Sequence, residues 1–169
     1  MIIFLDFDGV LHPFFPLPDN TDEQNAHFCD VPALAGVLAR HPDVKVVVTS
    51  SWRNKYDIPE LKKLLGPVVG ARVVGKTPSV QSSNSPGARA REIEMYLAAS
   101  DDPTQLWVAL DDMEDLFDPS SPLIVCPDGL KFDQLKQLDQ VLSHPSSPVQ
   151  RRKFGSSFTS SGLWVPPPR

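Results

Sequence analysis

The chain has few of the features that secreted or membrane-spanning proteins require. Its 169 residues include only two cysteines, Cys29 and Cys126, which lie far apart and form no C-x-x-C pair. We therefore expect two reduced thiols, as in a cytoplasmic protein, rather than a disulfide framework. No stretch approaches the roughly 20 apolar residues of a membrane helix. The first apolar run ends at Asp6 and has no basic segment before it, so we expect no signal peptide.

Internal repeats are also lacking, and the charge is unevenly distributed. The formal net charge is −5, yet residues 143–169 contain four basic residues and no acidic one. Residues 1–142 therefore carry the whole acidic excess, and an acidic body does not by itself attract nucleic acid. The basic C-terminal segment could do so.

The length fits one domain followed by a tail. We predict a domain over residues 1–142 and a largely flexible, Ser- and Pro-rich tail over residues 143–169. The apolar residues Phe154, Phe158 and Trp164 leave an alternative open, in which part of the tail folds back and covers apolar surface.

Short apolar runs alternate with segments of helical periodicity. The runs predict strands over residues 2–5, 44–48, 106–110 and 123–125, and one or two short strands within 68–74. The helical spacing predicts helices from Val31, over 59–65 with a stop at Gly66, from a Ser85-Pro86 cap to about Ala99, and over 132–142. This alternation predicts an α/β fold with a parallel sheet and helices on both faces.

The most informative segment is Asp6-Phe7-Asp8-Gly9-Val10-Leu11, directly after the first predicted strand. Residues i and i+2 of a strand share a face, so we expect the Asp6 and Asp8 side chains to point into the same space. Two like charges so close together repel each other unless a cation lies between them or one is protonated. Gly9 allows the chain to turn sharply away. The arrangement indicates a chemical role rather than a packing role.

Polar residues also end two further predicted strands. Thr49-Ser50-Ser51 follows the second strand, and Asp111-Asp112 follows the third long one. At the carboxyl edge of a parallel sheet, all three sets would converge on one crevice. Carboxylates there suit Mg²⁺, and hydroxyl and backbone N–H groups suit phosphate oxygens. Each set alone has an ordinary alternative as a turn or a helix cap, but their order and spacing together favour one active site.

These segments resemble the motifs of the haloacid dehalogenase (HAD) superfamily. Asp6-Phe7-Asp8-Gly9-Val10-Leu11 resembles the first motif, Thr49-Ser50 the second and Asp111-Asp112 the fourth. A narrower similarity, to HAD domains of bacterial "Swiss army knife" RNA-repair proteins, rests on Ser50-Ser51-Trp52-Arg53, Arg89-x-x-Glu92-Ile93 and Trp107-Val108-Ala109-Leu110-Asp111-Asp112. The resemblance covers about residues 1–142 and implies a three-layer Rossmann-like core without a large cap domain.

The resemblance also implies a Mg²⁺-dependent phosphatase that works through an aspartyl-phosphate. Asp6 would attack phosphorus, while Asp8 would protonate the leaving oxygen and then activate water. Mg²⁺ would bind to Asp6, to the backbone carbonyl of Asp8, to Asp111 and to a phosphate oxygen. Asp112 would hold a metal-bound water or a neighbouring position.

The family places a basic residue beside the phosphate, and two residues here are candidates for that role. We prefer Arg89, because it lies near the start of the helix that precedes the acidic strand; Lys76 is the alternative. Thr49 and the Ser50 amide would bind the phosphate oxygens, where losing one donor typically costs about 10²–10³ in rate.

Four other residues near these motifs have open interpretations. Arg53 and Arg91 are expected to be surface or substrate contacts. His12 either reaches the substrate or is merely exposed. Trp52 either stacks on a base or sugar or is buried by packing.

The gaps between motifs leave little room for a cap. Residues 12–30 are too few, and residues 54–85 have room for at most a small hairpin. An open crevice would admit a large substrate, such as a nucleotide, an RNA or DNA end, or a phosphoprotein. Two alternatives stay open: a non-catalytic module that binds phosphate or a partner, and a phosphotransferase.

Overall fold

The computed structural model describes residues 1–82 and 84–145. Both interpretations of the C-terminal tail, the flexible one and the folded-back one, therefore concern residues that lie almost entirely outside the described part. Within the described part, no helix has the length and apolar character needed to cross a membrane.

Five parallel strands form one sheet, which confirms the predicted α/β class. They are β1 (Ile2–Leu5), β2 (Lys45–Val48), β3 (Val73–Lys76), β4 (Trp107–Asp111) and β5 (Leu123–Val125). Their order across the sheet is β3-β2-β1-β4-β5. The chain thus builds outward from β1 in one direction and then returns to add β4 on its other side. The reversal point between β1 and β4 is where open parallel sheets bind ligands.

Helices cover both faces of this sheet and make three layers. They are α1 (Val31–Leu38), α2 (Ile58–Leu64), α3 (Gly66–Gly70), α4 (Ala88–Ala98) and α5 (Phe132–Ser143). The β1 side chains Ile3 and Leu5 join the core beneath α1, α2, α3 and α5, while Ile2 and Phe4 join the core beneath α4. Burying each such side chain contributes about 1.5–3 kcal/mol. The alternation along one strand therefore fixes which helices lie on which face.

The predicted helix over 59–65 with a stop at Gly66 is confirmed, because α2 ends at Leu64 and Gly66, at φ +70°, separates it from α3. Two other local predictions are wrong. Val68 and Val69 belong to helix α3 and not to a strand. Helix α4 begins at Ala88 after the left-handed Gly87, so Ser85-Pro86 lies in the preceding turn instead of capping the helix.

The last helix buries a slightly different face from the predicted one. Leu138 and Leu142 are buried as expected, but Phe132 at the start of α5 is 77% exposed.

Both cysteines are free thiols, as expected.

The segments between motifs contain core elements and no large cap domain within the described residues. Residues 54–85, which were expected to have room for a hairpin, instead supply α2, α3 and strand β3. Because β3 pairs with β2, this segment completes the sheet. Residues 12–30 contain turns and bends and neither a helix nor a strand.

Candidate active site

Three carboxylates meet at the carboxyl ends of β1 and β4. Asp6 follows β1, Asp111 is the last residue of β4, and Asp112 comes next. One oxygen from each lies within 4.8 Å of the other two. The strands are adjacent and paired in register, Leu5 with Leu110, so the aspartates that follow must emerge side by side. The predicted convergence of these acids is confirmed.

The Asp6 carboxylate is buried and oriented by donors on both oxygens. The backbone N–H of Phe7 donates to Oδ1 at 2.8 Å, and Nη2 of Arg89 lies 3.4 Å from Oδ2. Burial raises the pKa of Asp6, while the charge of Arg89 and the Phe7 N–H oppose that rise. The side chain is therefore held in one orientation in a site that little water reaches.

Asp111 and Asp112 have strongly raised pKa values for the same reason. Burial, with repulsion from Asp6, raises the pKa of Asp111 to about 8 and that of Asp112 to about 6. Arg89 lowers both values but does not cancel the rise. A buried group of acids with this much mutual repulsion becomes stable as anions when a cation lies among them.

The donor set fits a hard divalent cation. Three carboxylate oxygens at one partly open position are the ligand type that Mg²⁺ uses, with water and substrate supplying the rest. Gly9 makes room for this arrangement: a Cβ there would lie 2.4 Å from Oδ2 of Asp112, and its φ is +75°. The backbone of the first motif can therefore approach the Asp112 carboxylate closely only because residue 9 lacks a side chain.

These pKa shifts predict how the stability of metal-free protein depends on pH. In the unfolded chain Asp111 and Asp112 ionise near 3.8, whereas in the folded chain they hold their protons to higher pH. The folded state thus binds more protons between about pH 4 and 8, so stability must fall as pH rises. We expect the melting temperature of chelator-treated protein to drop by roughly 5 °C or more from pH 5 to pH 8.

Differential scanning calorimetry with and without Mg²⁺ tests this expectation. Mg²⁺ added at pH 8 should restore most of the lost stability, because it binds the ionised carboxylates of the folded state alone. A melting temperature that rises with pH in the metal-free protein, or that is indifferent to Mg²⁺, contradicts the interpretation of the three acids as one repulsive cluster.

Arg89 is the basic residue that contacts the acids. It lies in the first turn of α4 and its side chain is 9% exposed. Its Nε donates to Oδ2 of Asp111 at 3.1 Å, and its Nη2 pairs with Asp6. Its Nη1 also donates to the Thr49 carbonyl. One guanidinium thus links the ends of β1, β2 and β4.

A second buried arginine lies behind Arg89. Arg53 is 3% exposed and its Nη2 lies 2.6 Å from Oε1 of Glu92, while Oε2 of Glu92 is 3.2 Å from Nη1 of Arg89. Arg53 also donates to the Thr49 carbonyl. The expectation that Arg53 is a surface residue is therefore wrong, because the side chain is buried and Glu92 binds its guanidinium; its alternative role as a substrate contact stays a prediction. Arg91 is exposed and binds Ser85 and the Pro86 carbonyl.

The other predicted phosphate-binding residues lie around this network. Thr49 and Ser50 are buried immediately after β2, and the Ser50 hydroxyl contributes a hydrogen bond that lowers the pKa of Asp6. Lys76, at the end of β3, instead donates from Nζ to the carbonyls of Arg53 and Tyr56, at 2.8 and 3.1 Å. Its ammonium holds the segment after β2.

Asp8 lies beside the three-acid cluster, with its carboxylate turned to other partners. Its charge is close enough to raise the pKa of Asp6 and Asp112. His12 Nε2 lies 3.1 Å from Oδ1 of Asp8, and Trp52 Nε1 donates to both of its oxygens. The Asp8 side chain remains 32% exposed, so it is fixed in position and still open to solvent.

Glu92 has no role predicted from the sequence, and the sequence leaves the roles of His12 and Trp52 open. Arg89 and Glu92 are three residues apart on a helix, a spacing that places them on one face, and this was the available signal. His12 proves to be 3% exposed. Its contact with Asp8 depends on the turn at Gly9, which strand or helix periodicity does not describe.

Comparison with known proteins matches the same part of the chain. A family model described as the HAD domain in Swiss Army Knife RNA repair proteins matches residues 2–131. Those residues include the three-acid cluster, both buried arginines and all five strands. None of the curated proteins matches this chain. Since the family model spans most of the sequence, the chain belongs to the HAD domains of the Swiss Army Knife RNA repair family.

Proposed function

We propose that this protein is a Mg²⁺-dependent phosphatase that hydrolyses a phosphomonoester through an aspartyl-phosphate on Asp6. Membership of a HAD family supports hydrolase or phosphatase activity in general. The observation that carries the finer proposal is the cluster of Asp6, Asp111 and Asp112 with the Arg89 guanidinium against two of its members. This combination supports the proposal, because it would bring an oriented nucleophile, a bound cation and a fixed positive charge together in one crevice.

The reaction proceeds in two displacements. In the first, a carboxylate oxygen of Asp6 forms a bond to phosphorus as the ester oxygen departs, and Asp8 gives that oxygen a proton. In the second, Asp8 takes a proton from water, whose oxygen attacks the same phosphorus and releases inorganic phosphate. Asp6 is thereby regenerated as a carboxylate, and Asp8 has regained its proton.

A cation bound at the acids and the basic residues would each offset part of the negative charge of the site and the substrate. The residues that would hold Mg²⁺ are Asp6, Asp111 and the backbone carbonyl of Asp8, and Asp112 would hold a metal-bound water or a neighbouring position. The bound ion would neutralise charge on the phosphate oxygens. Arg89 lowers the repulsion between the anionic nucleophile and the anionic substrate. Its contacts with the acids favour it over Lys76, whose ammonium donates to backbone carbonyls.

Thr49 and Ser50 complete the phosphate site in this proposal. They lie at the end of β2, which is hydrogen-bonded to β1 next to Asp6. The Thr49 carbonyl accepts from both buried arginines, so the backbone at this position is fixed before substrate binds. A preorganised Ser50 amide would then donate to a phosphate oxygen without a rearrangement cost.

We propose a nucleotide or the phosphorylated end of an RNA or DNA strand as the substrate. The matching family is described by its occurrence in RNA repair proteins. The crevice has no large cap over it within the described residues, which suits a substrate longer than a metabolite. Phe14 and Phe15, 62% and 71% exposed, follow His12 closely and offer aromatic faces on which a base can stack.

A hydrolysis screen with metal control tests the proposal. The substrates are an aryl phosphate, sugar phosphates, nucleotides, and oligonucleotides phosphorylated at the 3′ or the 5′ end. We expect EDTA to stop phosphate release and excess Mg²⁺ to restore it, with an oligonucleotide end or nucleotide as the best substrate. Activity that is indifferent to chelation contradicts the metal role, and preference for sugar phosphates contradicts the substrate class. An added alcohol that captures phosphate would indicate phosphotransfer instead of hydrolysis.

A further inference from the structure

Two side chains contact the Asp8 carboxylate through ring nitrogens, and neither ring nitrogen donates to another described residue of the proposed site. Nε2 of His12 lies 3.1 Å from Oδ1 of Asp8. Nε1 of Trp52 lies 3.1 Å from Oδ1 and 3.0 Å from Oδ2. The donors come from two separate segments, one four residues after Asp8 and one in the short helix after β2. Together they fix both torsion angles of the Asp8 side chain.

His12 is held in a single tautomer by a backbone donor. The N–H of Phe28 donates to Nδ1 of His12 at 3.4 Å, so Nδ1 carries no proton and the proton of the neutral ring is on Nε2. That proton points at Asp8. Burial favours the neutral ring, because it lowers the pKa of His12 against the opposing effect of Asp8.

Phe28 adopts a strained backbone in order to make this contact. Its φ is +63°, and among the described residues it is the one non-glycine position with a left-handed conformation. Residues that carry a side chain rarely adopt this conformation, because the Cβ then lies too close to the following carbonyl oxygen. Such strain persists where the surrounding structure enforces it, and it is often associated with function. Here the strained residue supplies the N–H that sets the His12 tautomer.

Aromatic packing holds both donors in place. The Trp52 indole stacks on Tyr56, with ring centroids 5.5 Å apart and planes at 23°. The Phe28 ring packs edge-on against both His12 and Trp52, at 5.3 and 5.2 Å. Neither donor ring can therefore rotate away from Asp8 without disturbing the cluster.

We propose that His12 and Trp52 are positioning residues that aim the Asp8 carboxyl at the leaving oxygen of the substrate. The inference rests on the proposed function, because it assumes that Asp8 transfers the proton. Neither residue needs to contact the substrate. Their role accounts for a buried histidine and an indole N–H whose hydrogen bonds both end on Asp8.

Comparison of two leaving groups tests the proposal. An alkyl phosphate needs a proton on its departing oxygen, whereas p-nitrophenolate leaves as a stable anion. We expect Trp52→Phe and His12→Leu to lower kcat/KM for glycerol 2-phosphate by about 10- to 100-fold, which is part of the roughly 10²–10⁴-fold that a well-positioned general acid contributes. For p-nitrophenyl phosphate the loss should stay within about threefold. His12→Gln, which can place an amide N–H near the former Nε2, should recover part of the alkyl activity.

Matched controls separate positioning from a general loss of structure. His27→Gln changes an exposed imidazole that packs on the His12 and Trp52 rings, and it should leave the ratio of the two substrates at the wild-type value. A variant that merely destabilises the fold would lower both activities together and leave the ratio unchanged. Equal losses of kcat/KM on both substrates in Trp52→Phe and His12→Leu therefore overturn the proposal, because kcat/KM reports the first displacement and not the water step that the two substrates share.

An independent measurement does not depend on turnover. Nitrogen NMR of the histidine rings should show His12 neutral with its proton on Nε2, and the opposite tautomer overturns the proposal. Hydrolysis of the aryl ester alone by wild type would also overturn it, because no proton would then be supplied. Failure of wild type to hydrolyse either ester or any substrate of the screen, while the NMR result holds, would identify the proposed function as the part that is wrong, and the positioning role would fall with it.

Discussion

Asp6→Asn is expected to lower phosphatase turnover by about 10⁴-fold or more, which in practice means to the assay background. The amide is a poor nucleophile and cannot form the aspartyl-phosphate, so the first displacement is lost and not merely slowed. The measurement is phosphate release from the best substrate of the screen at saturating Mg²⁺. Acid-quenched wild-type protein should also contain a labelled phosphoryl group that Asp6→Asn lacks.

Asparagine has nearly the shape of aspartate, so the fold should survive this change. Asp6 is buried with a raised pKa, and a neutral amide removes its repulsion with Asp111. The matched control is Asp43→Asn, which changes an exposed acid just before β2, at the opposite edge of the sheet. That control should keep wild-type turnover. Comparable turnover in Asp6→Asn and wild type would show that another residue is the nucleophile.

Arg89→Met is expected to have the largest effect on stability. It removes the guanidinium that contacts Asp6, Asp111 and Glu92 and leaves buried carboxylates with too little positive charge. Removing one partner from a buried ion pair typically costs about 3–5 kcal/mol. Urea denaturation at pH 8 should show this loss in the free energy of unfolding, and turnover should fall by about 10²–10³-fold.

Two further variants make the Arg89 result interpretable. Arg89→Lys keeps a charge but loses the planar contacts of the guanidinium, so the variant should fold and still have reduced turnover. It also provides the test if Arg89→Met does not fold. Lys76→Met loses hydrogen bonds to two backbone carbonyls and should reduce turnover by less than about tenfold. A larger loss of turnover in Lys76→Met than in Arg89→Lys would reverse the assignment of the phosphate-neutralising base.

The fold was predictable where the apolar pattern leaves a single solution. Residues 2–5 are a continuous apolar run and residues 44–48 are apolar except for Lys45; both runs are too short for a helix, and they form β1 and β2. The pattern failed at Val68 and Val69, since two adjacent β-branched residues suit a short strand as well as a helical turn packed on the core. Val69 is buried and Val68 is exposed, a division that only the tertiary packing of α3 decides.

The site was predictable to the extent that its residues directly follow strands. Asp6 and Asp111 follow or end adjacent strands, and sheet topology alone brings them together. The burial of the Arg53 side chain was not predictable in this way. A charged residue after a strand reads as a surface group, and its burial depends on a glutamate 39 positions later that the chain brings back on α4. Partners so distant in sequence leave no periodic signal.

The shared use of Glu92 by two arginines has a consequence for engineering. Because Glu92 binds Arg53 and Arg89 at once, an exchange at any of the three positions changes the fit of the other two, and their effects will not add. Attempts to give this scaffold a new specificity should leave the trio intact. Phe14 and Phe15 are better positions for substitution, because their rings are largely exposed and lie outside the core. Changing them should have little effect on the stability of the fold.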